Sequence, residues 1–148
     1  MDKDEILATL KKIANCSIAT IDPLSGEPRV RMINPAIISD KEIVFHTGTF
    51  KEFGKQLQNL QKIELCFFDN GLYLQIRVRG IPVLDDSNEI KEKILALPQR
   101  KFLNEQADKM GRERFLKMFC VYRISKADAI VWTLKTNNEP NKLIPLYN

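Results

Sequence analysis

The chain has 148 residues, 44% apolar and 28% charged, the size and composition of one globular domain over 1–148. Those values exclude a disordered, collagen-like or coiled-coil chain, and no apolar run approaches the ~18 residues that a membrane helix needs. Lys and Arg total 23 against 19 Asp and Glu, a net charge of +4 that suits an anionic partner without demanding one.

The elements follow in chain order. Residues 4–14 carry Ile6, Leu7, Leu10 and Ile13 at helical spacing. The charged, amphipathic start is no secretory signal, so a cytoplasmic protein without membrane partners is expected. Residues 17–21 read as a short strand, and Pro23, Gly26 and Pro28 mark a turn. A long strand is expected over 29–38, followed by a turn and the strand 42–47, its partner being the strand before it. The period then changes: Phe50, Phe53, Leu57 and Leu60 predict a helix over 50–61. Strands return at 63–68 and 72–83, joined by Asp69-Asn70-Gly71, a hairpin signal. A helix over 88–97 ends at Pro98, residues 101–117 are partly helical, and strands are expected at 119–124 and 129–134. The tail after Thr136 lacks periodicity. This order of helix, meander, helix, hairpin, helices and hairpin favours antiparallel pairing. The expected fold is mainly β: a small antiparallel split barrel with helices packed outside.

Cys16, Cys66 and Cys120 are odd in number and dispersed, which argues against a disulfide scaffold. With one histidine and no CxxC pair, no metal site is expected.

Three segments could carry chemistry. In RVRMIN, alternation puts Arg29, Arg31 and Ile33 on one face and Val30, Met32 and Asn34 on the other. Two adjacent arginines repel unless water or an anion lies between them. In LQIRVRG, Gln75, Arg77 and Arg79 share a polar face opposite Leu74, Ile76 and Val78. If the two strands share an edge or interface, four arginines and a glutamine collect there, and phosphate is a fitting counter-charge. In HTGTFKEFGKQL, Thr49 and Glu52 fit a capping box, which starts the helix at Phe50 with its dipole and Lys51 facing a possible anion. The sole histidine, His46, ends the strand before this loop, and Trp132 lies in the last expected strand.

With these motifs in this order, from about residue 5 to 134, the chain resembles the pyridoxamine-phosphate-oxidase-like, FMN-binding split-barrel family. The resemblance rests on SIATID, GEPRVRMIN, VFHTGTFKEFGKQL, LQIRVRGIPV and IVW. It implies that Arg31 contacts the phosphate or ribityl chain of FMN and that Met32, Ile33 and Asn34 line the flavin ring. His46 and Thr47 match a strand-end pair beside the flavin, Lys51 a phosphate lysine, Gln75 a glutamine reaching the flavin, and Trp132 an aromatic near the ring. It further implies a homodimer with FMN between subunits and a small-molecule substrate. The VFHTG element looks like that of the Nim subgroup, associated with nitroimidazole resistance, or of the general-stress flavoproteins. Phe50 and Glu52 flank Lys51, and the arginine-rich C-terminal motif of vitamin B6 oxidases is missing, which points away from that substrate. The expected function is therefore a flavin-dependent oxidoreductase; the alternative is a non-catalytic flavin or haem binder serving as sensor or store. Nucleic acid is not an expected partner, because the arginine faces lack interleaved aromatics.

Overall fold

A computed structural model of the chain describes residues 1–59 and 61–148. Two antiparallel sheets form an open, split barrel with helices packed outside. The six-stranded sheet runs β10-β9-β6-β5-β1-β2 and the four-stranded sheet β3-β4-β8-β7. Its elements are α1 (Lys3–Ile13), β1 (Cys16–Ile21), β2 (Pro28–Ile33), β3 (Ile37–Ile38), β4 (Ile43–Gly48), α2 (Glu52–Leu57), β5 (Ile63–Asp69), β6 (Leu74–Gly80), β7 (Val83–Asp85), α3 (Asn88–Leu95), α4 (Lys101–Met110), α5 (Arg112–Met118), β8 (Phe119–Ile124), β9 (Ala127–Thr133) and β10 (Ile144–Tyr147).

Both long strands expected from the sequence are broken, and each break falls at a proline. The segment 29–38 divides at Asn34-Pro35: β2 pairs with β1, and only β3 pairs with β4. The segment 72–83 divides at Ile81-Pro82: β6 stays in the large sheet while β7 pairs with β8. Proline has no N–H for a ladder and restricts the residue before it, so each X-Pro step becomes the place where the chain changes sheets. The expected pairing of strand 42–47 with its predecessor is thus confined to Ile37–Ile38, and its long partner is β8.

Other boundaries also moved. The helix expected over 50–61 is only Glu52–Leu57 within the described residues, and Leu60 lies outside them. Thr49 is not its N-cap. Lys51 is, and no side chain caps the helix, so the capping-box reading fails. The chain instead leaves β4 through Thr49, whose N–H donates to the Met118 carbonyl at 3.0 Å, which delays the helix by two residues. Gly111, at φ 95°, separates α4 from α5. The tail contains β10, an edge strand carrying Pro145, which tolerates a missing donor there.

The main core lies between the sheets. Phe45 of β4 stacks against Phe53 of α2 at 5.8 Å and Tyr122 of β8 at 5.7 Å; such pairs contribute ~1 kcal/mol each beyond burial. A second core, built on Val44, Ile94, Leu103, Phe115 and Phe119, lies between the small sheet and α3–α5. Strand β4 therefore has apolar packing on both faces, and its end carries the polar residues of interest. No helix among the described residues is long and apolar enough to cross a membrane.

Candidate functional site

Pairing register fixes which way each candidate side chain points. Arg31 lies across from Ile18, and Ile18 from Leu65, both fully buried, so Arg31 projects toward the inner face of the large sheet. There Nη1 donates to Thr20 Oγ1 at 2.9 Å and Nη2 to Gln56 Oε1 at 2.8 Å. The guanidinium also lies 4.4 Å from the Phe53 ring centroid, a cation–π distance. Thr20 and Gln56 are 1% and 2% exposed, and Thr20 Oγ1 donates to Gln56 Oε1 at 2.7 Å. Burial lowers the Arg31 pKa from its usual value, with the nearby Glu52 opposing that effect. Its neighbour Arg29 is instead surrounded by acids: Glu27 at 3.0 Å, Glu52 at 3.5 Å and Asp22 at 3.7 Å. The expected repulsion between the two arginines is therefore relieved on the Arg29 side by carboxylates. Neutral oxygens hold Arg31.

Helix α2 carries these partners close to β4. Gly54 makes this approach possible, since a Cβ there would lie 2.2 Å from the Gly48 carbonyl oxygen. The Thr47 methyl group packs at the same contact. Thr47 is only 6% exposed, and its Oγ1 is sealed from solvent with no hydrogen-bond partner among the described residues. Lys51, exposed, occupies the N-cap of α2, and Phe50 folds over Gly48.

His46 and Thr47, expected as a pair, point to opposite faces of β4. The His46 ring lies 5.1 Å from that of Phe119, on the side of the second core. Its Nε2 accepts from Arg100 Nε at 3.0 Å. Arg100 Nη2 donates to the Asn34 carbonyl at 2.6 Å and to its Oδ1 at 3.0 Å. Asn34 Nδ2 in turn donates to Asn15 Oδ1 at 2.9 Å. Burial is the main cause pushing the His46 pKa down to about 4, with Arg100 and then Lys51 adding to it.

The remaining candidates lie apart. Ile33 packs against the main core, while Met32 is 66% exposed and accepts from Ser17 Oγ at 3.1 Å. Gln75 and Trp132 face each other across β6 and β9 on the outer face of the large sheet. No hydrogen bond or ring contact among the described residues joins that pair to Arg31, Thr47 or Lys51. Arg77 and Arg79 share this outer face, so the four arginines do not collect: the two pairs project to opposite sides of the sheet. Arg77 bridges to Glu64 at 3.1 Å. A cavity of about 950 Å³ near Lys62, Arg79, Lys126 and Tyr147 includes none of the nine candidate residues.

Sequence reasoning missed Thr20, Gln56 and Arg100. Gln56 had a usable signal, as a polar residue beside the apolar positions Phe53 and Leu57. Arg100 had none, because its partners are 54 and 66 positions away.

A family model described as pyridoxamine 5'-phosphate oxidase matches residues 2–122. A pyridoxine/pyridoxamine 5'-phosphate oxidase of Sinorhizobium fredii is 29% identical over 96 residues, covering 65% of this chain and 46% of that protein. The chain thus spans about half the length of the curated relatives it matches. Among solved structures, a NimC/NimA family protein from Clostridium acetobutylicum has a TM-score of 0.68 at 22% identity, covering 97% of this chain and 92% of that one. A protein related to general stress protein 26, also from Clostridium acetobutylicum, has a TM-score of 0.73 at 13% identity, covering 99% and 97%. A pyridoxamine 5'-phosphate oxidase-related, FMN-binding protein from Nostoc punctiforme has a TM-score of 0.62 at 18% identity, covering 95% and 87%. These likenesses show the fold. With its model matched over most of the sequence, the chain belongs to the pyridoxamine 5'-phosphate oxidase family.

Proposed function

We propose that the chain binds FMN as one unit over 1–148 and acts as a flavin-dependent oxidoreductase on a small molecule. The observation that carries this reading is the sealed, unpartnered Thr47 Oγ1 at the end of β4, a residue that packs on α2, the helix that has Lys51 at its N-cap and brings Gln56 to Arg31. A buried hydroxyl without a partner costs ~1–3 kcal/mol, and a phosphorylated ligand would satisfy it once the packing of α2 on β4 shifts to admit the phosphate. Lys51 and Arg31 would neutralise the phosphate, while the backbone of Met32, Ile33 and Asn34, with the exposed Met32 side chain, would line the ring. When bound, the flavin supplies the hydride and electron chemistry, and the chain supplies grip, orientation and electrostatics.

Gln75 and Trp132 would complete the site from a second copy, because they lie on the outer face, away from the Arg31 cluster of their own chain. That face exposes Val30 at 68% and Met32 at 66%, an apolar strip suited to burial between two subunits.

Flavin titration tests the reading. The double variant Lys51→Ala, Arg31→Ala should weaken FMN binding by on the order of 3 kcal/mol, since charge-assisted hydrogen bonds contribute ~1.5–3 kcal/mol each. Unchanged affinity in a folded double variant would sink it. Val30→Lys with Met32→Lys should give monomers in sedimentation. Anaerobic reduction of the flavin-loaded protein by NADH or NADPH, with nitroimidazoles or quinones as acceptors, separates turnover from mere binding.

A further inference from the structure

We infer that Arg100 is a positioning residue: it fixes His46 as the neutral Nδ1–H form, so that the ring meets a ligand as a hydrogen-bond donor and not as an acid. The ligand atom would be a carbonyl oxygen or a bare ring nitrogen. That this ligand is a flavin, or an acceptor lying on it, rests on the function proposed above; the role of Arg100 does not.

The argument starts from donor and acceptor chemistry. A guanidinium stays protonated and only donates. With Arg100 Nε at 3.0 Å, His46 Nε2 must therefore present a lone pair, and the single ring proton of the neutral form sits on Nδ1. Arg100 is itself held: it is 4% exposed and clamped to both oxygens of Asn34. It cannot swing away without leaving a buried charge unpaired. Nδ1 has no partner among the described residues, and it is not one of the sealed, unpartnered atoms. The chain thus leaves one oriented donor open beside the end of β4.

A second proton on the ring is opposed from every side that carries charge. Arg100 comes from the turn before α4 and Lys51 from the N-cap of α2, both cationic. Phe119 and Val121 of β8 and Asn34 after β2 bring no charge. The resulting pKa of about 4 supports a donor role that does not change across neutral pH.

The sole histidine makes the test direct. The full chain, labelled with ¹⁵N-histidine and free of flavin, is followed by long-range ¹H–¹⁵N spectra from pH 5 to 8. The expected result is one species, protonated at Nδ1 and bare at Nε2, that does not titrate. Arg100→Gln should mix the two forms and move the midpoint toward the ordinary 6.5, and Arg100→Lys, which keeps one donor, should restore part of the wild-type signature. A wild-type ring protonated at Nε2, or titrating above pH 6, overturns the assignment, and this holds even if both variants fail to fold. Addition of FMN should then shift the Nδ1 signal. Flavin bound with that signal unmoved overturns the donor role; no flavin binding at all overturns the proposed function and leaves the Arg100 assignment to the flavin-free spectra.

Discussion

The two faces of the β4 end solve the same problem differently. On one face Arg31 reaches Thr20 and Gln56; on the other Arg100 reaches His46 and Asn34. Both are partly or wholly buried cations held by neutral oxygens or nitrogen, and among the described residues neither has a carboxylate within ion-pair distance. The faces differ in what they leave over. The Arg31 side leaves a sealed hydroxyl, Thr47 Oγ1, that needs a partner. The Arg100 side leaves an open ring N–H. A buried cation paired with a carboxylate would be neutralised in the chain itself; one held by neutral dipoles keeps its field available to an anionic ligand.

Several substitutions would break or sharpen this contrast. The largest effect is expected for Gly54→Ala. The new methyl group would meet backbone at 2.2 Å, and moving α2 off β4 should cost about 3 kcal/mol in denaturant unfolding and dismantle only the Arg31 face.

Next comes pH. The His46 pKa is lower in the folded chain, at about 4, than the usual 6.5, so the unfolded chain binds more protons between those values. Its contribution is complete above pH 6.5 and is lost as pH falls toward 4. Between pH 7 and 4 the wild type should lose roughly 2–3 kcal/mol more than His46→Gln in urea melts. Equal pH dependence in the two proteins would show that the Arg100 face does not hold the ring neutral.

Thr47→Val is the sharper test of the other face. Removing an unsatisfied hydroxyl while keeping its shape should relieve its burial cost and stabilise the flavin-free chain by up to ~1–3 kcal/mol in denaturant unfolding. The same change should weaken FMN binding about tenfold, ~1.4 kcal/mol, measured by flavin fluorescence. A clear loss of stability without flavin would mean that the hydroxyl has a partner within the chain.

The smallest effect is expected for Thr49→Ala. A true N-cap would cost ~1 kcal/mol, but Lys51 occupies that position without a side-chain cap. Thermal melts should therefore show a change below about 0.5 kcal/mol.

The alternation of RVRMIN made the shared face of Arg29 and Arg31 legible, because strand geometry is local. It could not say that this face looks inward. That depended on pairing with β1, where register sets Arg31 beside buried Ile18. The same limit applies to Gln75, Arg77 and Arg79: their common face was readable, its opposition to the Arg31 face was not. The prolines were visible as letters, yet their role as points of sheet exchange depends on where the two sheets lie.

By itself, then, the amino-acid order determined the period of most elements, though not the tail strand β10, together with the antiparallel barrel class and the motif sequence by which the chain resembles its family. Those properties arise from neighbours a few residues apart. Tertiary structure alone decided that His46 and Thr47 serve opposite faces, that Arg31 rests on Gln56, and that Arg100 reaches His46 across 54 positions. Such contacts are set by how sheets and helices stack, and no local spacing encodes them.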